Sequence, residues 1–217
     1  QWIYIIEALP TVIVGFFVLF VLIDGPQQAK FLTQAEKDWL TSTLARERKQ
    51  IETGGTYTIW QSMTNPKMLL LAVNYLGIVT ASLGLLYFAS LIFKDLGANK
   101  DTIGRAVMLT YLCGAVSMFA CGWLSDRLGD RRWLLAATCA LSTVGLVIAG
   151  AMSHSWWSLL GMCLAAMGFY GTKGPFWSMP TMFLTGSAAA AGLAFINAFG
   201  NIGGAAGPAL MGWLKDY

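Results

Sequence analysis

The sequence predicts an all-α polytopic membrane protein, and three observations support this fold class. Hydrophobic residues make up 56% of the 217 residues, whereas charged residues make up only 12%. Apolar stretches of about 20 residues recur along the chain, and a helix of that length crosses about 30 Å of hydrocarbon. The polar segments between these stretches carry most of the basic residues, as the loops of membrane proteins do.

About six segments are apolar and long enough to span a bilayer. Short polar connections separate most of them, and a longer polar segment follows the first. We call them spans A to F, and they run from about Ile3 to Ile23, Met68 to Phe93, Ala106 to Leu124, Trp133 to Met152, Trp156 to Leu184, and Ala188 to Leu214.

Span E differs from the other spans because glycine and proline interrupt it. Gly171, Gly174, Pro175 and Pro180 all fall before its end at Leu184. Proline lacks a backbone N–H and breaks the hydrogen-bond ladder, so we expect this span to be kinked or locally unwound.

The segment between spans A and B predicts an amphipathic, water-facing helix. Thr33 and Glu36 have the spacing of a capping box. Apolar residues then recur at helical intervals among charged ones. They are Trp39, Leu40, Leu44 and Ile51.

The loop basic residues predict which side of the membrane each loop faces, because lysine and arginine are enriched in cytoplasmic loops. The same pattern explains the net charge of +3 without a nucleic-acid partner. The A–B linker and the C–D turn hold Lys30, Lys37, Arg46, Arg48, Lys49, Lys67, Arg127, Arg131 and Arg132; the B–C loop holds only Lys94, Lys100 and Arg105. We therefore expect the linker to be cytoplasmic.

No residue pattern in the chain is typical of an enzyme or of a cofactor site. The sequence contains no GxxxxGK, HExxH or GxSxG motif. The four cysteines lie inside apolar stretches without a CxxC pair or a nearby histidine: Cys113, Cys121, Cys139 and Cys163. This pattern favours buried, inert thiols over a metal site or a disulfide framework. We expect no catalytic residue, no metal and no cofactor.

The turn after span C contains a dense charged motif. Gly122 favours close approach of a neighbouring helix, Asp126 suits an arginine or a helix N-terminus, and Gly129 permits a tight turn. The motif reads Gly122-Trp-Leu-Ser-Asp126-Arg127-Leu-Gly129-Asp-Arg131-Arg132. A positive-inside turn without a further role is the simpler alternative.

This motif resembles the loop signature of the major facilitator superfamily, G-x-x-x-D-[RK]-x-G-x-[RK]-[RK]. In that family the signature occurs between the second and third helices and again between the eighth and ninth. The resemblance implies a conformational latch whose charges form and break pairs during transport.

Placing the motif between the eighth and ninth helices makes the chain a part of a fold with twelve spans. Residues 1–23 then form the last helix of the N-terminal half, and residues 24–66 form the central linker. Residues 67–217 form the C-terminal half without its last helix. The missing N-terminal half and the last helix are therefore expected partners, together with the lipid bilayer.

Three further stretches look like the anion:cation symporter branch, which includes permeases for tartrate-like sugar acids, phthalate and hydroxyphenylacetate. The resemblance implies a secondary active transporter in a bacterial inner membrane. It would take up a small organic anion with protons by alternating access; alternatives are a drug or metabolite exporter of the same fold and a membrane sensor. The three stretches are Trp2 to Pro10, Pro175 to Pro180, and Ala194 to Gly204, and Trp39-Leu40 followed by Arg46-Glu47-Arg48 in the linker agrees with them.

Lys173 is the strongest candidate for a substrate-binding residue. It lies well inside span E, where a charge costs about 2.5–3.5 kcal/mol. A carboxylate substrate would supply its counter-charge; alternatively, span E ends early and the side chain extends to the interface. Trp177 and Ser178 lie one turn further along the same segment.

Asn197 and Asn201 share one face of span F, where their amides could hydrogen-bond hydroxyl or carboxylate groups. The resemblance implies that Asn197 and Trp177 face the central substrate site. Tyr75 on span B is a further candidate. The alternatives are hydrogen bonds between helices and ordinary packing.

Span F also carries a series of glycines, which in membranes favours close packing or sliding of helices. With Pro208, we expect Gly200, Gly203, Gly204, Gly207 and Gly212 to form a packing ridge. Glu7 is the only carboxylate within the predicted spans, and we favour a structural role for it over proton transfer.

Overall fold

The computed structural model describes residues 2–23, 25–52 and 58–215, which form helices joined by turns and irregular segments, without any strand. The chain divides into two compact units, Gln1–Thr53 and Gly54–Tyr217. The helices are α1 Trp2–Val21, α2 Gln34–Glu52, α3 Ile59–Thr64, α4 Pro66–Asp95, α5 Lys100–Leu128, α6 Arg131–Ala151, α7 Ser158–Gly171, α8 Lys173–Ser178 and α9 Gly186–Lys215; two 3₁₀ turns are Pro26–Gln28 and Pro180–Met182.

The first unit consists of an apolar helix and a polar one. Helix α1 contains the apolar stretch Ala8–Val21, and its apolar side chains are exposed, as the 86% exposed Phe20 illustrates. An exposed apolar surface of this kind suits a lipid environment. The side chain of Glu7 lies outside the described residues, so its predicted role stays a prediction.

Helix α2 begins with the predicted capping box. The backbone N–H of Thr33 donates to Glu36 Oε2 at 2.8 Å, and the backbone N–H of Glu36 donates to Thr33 Oγ1 at 3.4 Å. The Thr33 hydroxyl also donates to Glu36 Oε2, at 2.7 Å. Two otherwise free N–H groups are satisfied in this way. The hydrogen bond from the Thr33 backbone N–H is the main cause of a lowered pKa of the Glu36 carboxyl, and the bond from the Thr33 hydroxyl lowers it further.

The second unit contains four helices that are long and apolar enough to cross a membrane: Pro66–Leu85, Lys100–Leu128, Arg131–Ala151 and Gly186–Leu210. Polar caps set their starts. Asn65 accepts a bond from the N–H of Lys67 at 2.9 Å, and Asn99 accepts one from Thr102 at 2.8 Å. Because Asn99 starts α5, this helix is longer than the Ala106 to Leu124 predicted for span C.

Three pairs of helices form the body of the second unit: α6 with α7, α4 with α9, and α5 with α7. Buried apolar residues from α4, α8 and α9 form the largest cluster, which includes Tyr75, Phe176 and Ile196. Large apolar side chains also point outward, such as Phe119 at 75% exposure and Trp133 at 78%. A surface of this kind is rare on soluble proteins and fits contact with lipid.

The described helices agree with the predicted partial all-α fold, in which one of about six spans is broken. Four helices meet the length and apolarity of a span, and α1 contributes the shorter stretch Ala8–Val21. Predicted span E is divided into α7, α8 and a 3₁₀ turn. The prolines that predicted this interruption are also its cause, as the next section shows.

Helix α3 lies in the predicted linker but packs on α9 and α4 in the second unit. Its capping box joins Thr58 and Gln61, whose groups exchange bonds of 3.0 Å and 3.2 Å. The division of the chain at residues 23 and 66 stays a prediction.

Candidate functional site

The candidate site is built on the broken segment after α7. The hydroxyl of the buried Thr172 donates to the carbonyl of Phe169 at 2.7 Å, and α8 begins at the next residue. Pro175 and Pro180 have no N–H to donate, so the last turns are tightened. Met179 N–H donates to the carbonyl of Phe176 at 3.1 Å, three residues back.

Three aromatic rings meet at this segment. The ring of Tyr75 on α4 is stacked on Phe176 with centroids 5.2 Å apart, and it meets Trp177 edge-on at 5.0 Å. Phe176 and Trp177 are also edge-on, at 5.4 Å. These distances and geometries are those that aromatic pairs favour. The cluster fixes α8 against α4.

Lys173 lies beside this cluster and is half-buried. Its Nζ is 5.7 Å from the centroid of the Tyr75 ring, within the range of a cation–π contact. Among the residues that the structure describes, no carboxylate forms an ion pair with it. The cation–π contact with Tyr75 therefore compensates the charge of the ammonium only in part.

Ser178 is less available than its position in the sequence indicates. Its hydroxyl donates to the backbone carbonyls of Gly174 at 3.2 Å and Pro175 at 3.0 Å. A hydroxyl has one proton, so Ser178 satisfies local backbone groups and could only accept from a substrate. Its assignment as a ligand stays a prediction.

Asn197 and Asn201 are both exposed on α9, next to the buried Ile196 and Gly200 that face α4. Gly200 packs against the ring of Tyr75, which brings this part of α9 to the aromatic cluster. Within the described residues neither amide makes a hydrogen bond, so both retain their donors and acceptors.

The predicted latch residues form contacts around Arg131. One guanidinium nitrogen lies 3.6 Å from Asp126 Oδ1, and the other donates to the carbonyl of Ser178 at 3.4 Å. Arg127 lies over the ring of Trp123 at 5.2 Å. Arg131 thus connects the C–D turn to the end of α8, a connection that the sequence motif does not reveal.

The glycines of the motif have different roles. Gly129 ends α5 with a φ of 71°, a conformation that glycine adopts without strain. An added Cβ on Gly174 would lie 3.0 Å from the Cα of Gly122, so α8 and α5 approach closely here. The space beside Gly122 itself is open.

The predicted glycine ridge on α9 is present but ends earlier than expected. An added Cβ on Gly207 would lie 2.8 Å from Thr80 Cγ2, and one on Gly204 would lie 3.2 Å from Leu83 Cδ1. Gly200 and Gly203 also face α4, whereas Gly212 faces open space. Pro208 lies inside the helix.

Other polar residues of α4 and α5 have partners outside the three rings of the aromatic cluster. Asn74 donates to the sulfur of Cys139 at 3.9 Å, and Tyr111 meets Tyr170 edge-on at 6.1 Å. The four cysteines are free thiols. The described part of the chain contains no group of three histidine, cysteine or acidic side chains that could hold a metal.

The sequence profile of the Major Facilitator Superfamily matches residues 1–214. The chain belongs to this superfamily. The match confirms the resemblance of the charged motif and the partial all-α fold. Together with the apolar helices, it identifies the chain as part of an integral membrane protein.

Several curated transport proteins are similar to all or nearly all of the chain. A putative tartrate transporter of Agrobacterium vitis is 36% identical over 100% of this chain and 48% of its own length. The inner membrane transport protein RhmT of Escherichia coli is 34% identical over 96% and 48%. A quinolone resistance transporter of Acinetobacter baumannii is 29% identical over 100% and 50%.

The chain spans about half the length of these curated relatives. All three are named as transport proteins, which agrees with the prediction of a protein that is not an enzyme. No solved structure matches the chain.

Proposed function

We propose that this chain is part of a secondary active transporter that takes up a small organic anion together with protons. The observation that carries the proposal is the half-buried ammonium of Lys173, which has no carboxylate partner among the described residues. A charge inside a membrane segment calls for a partner that stabilises it. A carboxylate substrate is such a partner.

The surrounding residues suit a hydroxylated or aromatic carboxylate. Lys173 would pair with the carboxylate, and Trp177 would present an apolar ring beside it. The amides of Asn197 and Asn201 would exchange hydrogen bonds with hydroxyl groups. The broken segment supports this arrangement, because interrupted helices commonly line transporter sites. The relative from A. vitis is named as a putative tartrate transporter.

The rest of the pathway belongs to parts of the protein outside this chain. We infer that an N-terminal half precedes the linker and that one further helix follows α9. The proton-binding carboxylates would lie in that N-terminal half. The linker at residues 24–66 would be cytoplasmic, in a bacterial inner membrane, and the charges around Arg131 would change partners as the two halves alternate in access.

The test uses the full-length protein in proteoliposomes with an imposed inward proton gradient. Labelled tartrate and an aromatic monocarboxylate are supplied outside. We expect accumulation that a protonophore abolishes. Accumulation that is indifferent to the protonophore would contradict proton coupling, and uptake of the uncharged amide analogue at the same rate would contradict anion selectivity.

Variants of Lys173 test the site. A hydrogen bond to a charged group contributes about 1.5–3 kcal/mol, so Lys173→Ala should lower kcat/KM roughly 10–150-fold. Lys173→Arg keeps the charge and should retain part of the activity. The matched control is Lys94→Ala, which removes an exposed lysine at the end of α4. Equal activity of Lys173→Ala and Lys94→Ala would exclude Lys173 from the site.

An exporter of apolar or zwitterionic compounds is the second candidate. The aromatic cluster of Tyr75, Phe176 and Trp177 and the similarity to a quinolone resistance transporter favour it. Cells that lack the gene would then accumulate a fluoroquinolone, and carboxylates would not compete with its efflux. Uptake of the carboxylates, without added accumulation of the drug in cells that lack the gene, would favour the first proposal over this one.

A further inference from the structure

A cavity of about 990 Å³ lies at one end of the second unit. It is open on one side and is bordered by the first turns of α4 and α6 and by the segment that follows α8. None of the candidate substrate-binding residues lines it. Its lining combines basic side chains with apolar ones such as Leu70, Leu135, Met182 and Phe183.

The basic side chains leave the cavity with an excess of positive charge. Lys67, Arg131 and Arg132 line it, with Asp130 as the one acidic residue in its described lining. Arg131 already contacts Asp126 and the end of α8. Asp130 accepts the backbone N–H of Arg132 at 3.1 Å and so caps α6.

Two of these cations lack a carboxylate partner. Within the described part of the chain, neither the ammonium of Lys67 nor the guanidinium of Arg132 forms an ion pair. Lys67 Nζ lies 5.7 Å from the centroid of the Phe183 ring, within the range of a cation–π contact. An anionic ligand would therefore complement this part of the cavity.

The apolar walls indicate that this ligand is more than a small anion. Leu70 is 71% exposed and Met182 is 54% exposed. Trp133, next to Arg132, is 78% exposed, and tryptophan favours the membrane interface. A hydrocarbon chain would cover these side chains, whereas inorganic phosphate would leave them uncovered.

We propose that the cavity binds the headgroup of an acidic phospholipid. The phosphate lies between Lys67 and Arg132, and an acyl chain follows the exposed apolar side chains of Leu70 and Met182. Basic pockets between membrane helices bind acidic lipid headgroups in this way. The basic loops assign this end of the unit to the inner leaflet of the membrane. The negative headgroups of acidic lipids in that leaflet attract basic side chains near the surface.

The experiment titrates the purified full-length protein with phosphatidylglycerol and with phosphatidylcholine. Native mass spectrometry counts bound lipids, and thermal unfolding reports the stabilisation that a bound ligand gives. We expect tight binding of phosphatidylglycerol only. The double variant Lys67→Gln/Arg132→Gln should bind it about 25-fold more weakly, about fivefold for each charge. The matched control is Lys100→Gln/Arg105→Gln, which removes two basic residues from the start of α5 and should bind as the wild type.

Three results of these titrations would overturn the proposal. Equal binding of phosphatidylcholine would show that the charge is not recognised. Equal stabilisation by glycerol phosphate would indicate a site for free anions. Undiminished binding of phosphatidylglycerol by the double variant would place the lipid elsewhere. If that variant does not fold, the wild-type titrations decide the first two points.

Another segment of the full-length protein, rather than a lipid, could cover the cavity. A spin label at Leu70→Cys, in a protein whose native cysteines are replaced, reports this directly. If oxygen dissolved in the bilayer relaxes the spin label, the cavity faces lipid, which supports the proposal. Protection of the label would overturn the proposal.

Discussion

Two helix interfaces of the second unit are built on glycine, but they differ in what the glycines face. Between α6 and α7, the glycines meet backbone. An added Cβ on Gly161 would lie 2.7 Å from the carbonyl oxygen of Gly145, and the reverse distance is also 2.7 Å. Between α4 and α9, Gly200 faces the ring of Tyr75 and Gly207 faces the side chain of Thr80.

This difference separates a fixed interface from an adjustable one. Backbone atoms of packed helices have no rotamers, so α6 and α7 can part only as whole helices. A tyrosine ring can rotate and let α9 shift against α4. Gly203 is a partial exception, since an added Cβ there would lie 2.7 Å from the carbonyl oxygen of Leu76. The adjustable pair also carries three of the candidate substrate residues, namely Tyr75, Asn197 and Asn201.

Gly161→Ala should have the largest effect on stability. Its Cβ would overlap backbone that cannot move away, and overpacking of this kind costs about 1–3 kcal/mol. Thermal unfolding of the full-length protein in detergent measures the loss. Gly150→Ala, on α6 where the added Cβ meets nothing, should leave stability unchanged or slightly higher. Similar losses in both variants would contradict a fixed interface.

Gly200→Ala should cost less stability than Gly161→Ala, because the Tyr75 ring can rotate. The rotation would move the ring away from Lys173, so we expect a severalfold rise in KM for the anion that we propose as the substrate. Uptake kinetics and thermal unfolding of one preparation give both values. Gly212→Ala is the control on the same helix, since its Cβ meets open space. A stability loss as large as that of Gly161→Ala would show that both interfaces are equally rigid.

Arg131→Gln should have a smaller effect on stability, about 0.2–1 kcal/mol, because its partner Asp126 is 79% exposed. It also removes the bond to the Ser178 carbonyl and so frees the end of α8. We expect kcat to change more than stability does. Arg131→Lys keeps the charge and should restore part of the lost kcat. Unchanged kcat in Arg131→Gln would confine this arginine to a structural role.

The smallest effect concerns the pH dependence of α2. The pKa of Glu36 is lowered by its bonds to Thr33, so the folded cap binds its proton less readily than the unfolded chain. The ionised Glu36 carboxyl therefore stabilises the start of α2 at any pH above its ordinary pKa. This stabilisation is lost as the pH falls through the lowered pKa of the folded protein. Hydrogen exchange at the start of α2, corrected for intrinsic rates, should rise in acid.

Glu36→Gln is the matched control for this prediction. Glutamine can form the same capping box but does not titrate in this range. Exchange in the variant should therefore vary less with pH than in the wild type. Equal pH dependence in both would assign the effect to another group.

The sequence predicts best those features that depend on neighbouring residues. The capping box of Thr33 and Glu36 needs only their spacing, and the interruption near Pro175 needs only the missing N–H. The start of α5 was missed because the polar turns after Asn99 lack the apolar signature of a span. Periodicity alone places Gly212 on the ridge, because it does not show which glycines of a helix meet a partner helix.

The sequence by itself determined the membrane class, the helical fold and the superfamily motif, because hydropathy, glycine, proline and charge spacing act over a few turns. Only the tertiary structure decided which candidates meet. It placed Lys173 on the ring of Tyr75, joined Arg131 to the end of α8, and formed a cavity between Lys67 and Arg132. These contacts join residues that lie far apart in the chain, and packing between helices alone sets such distances.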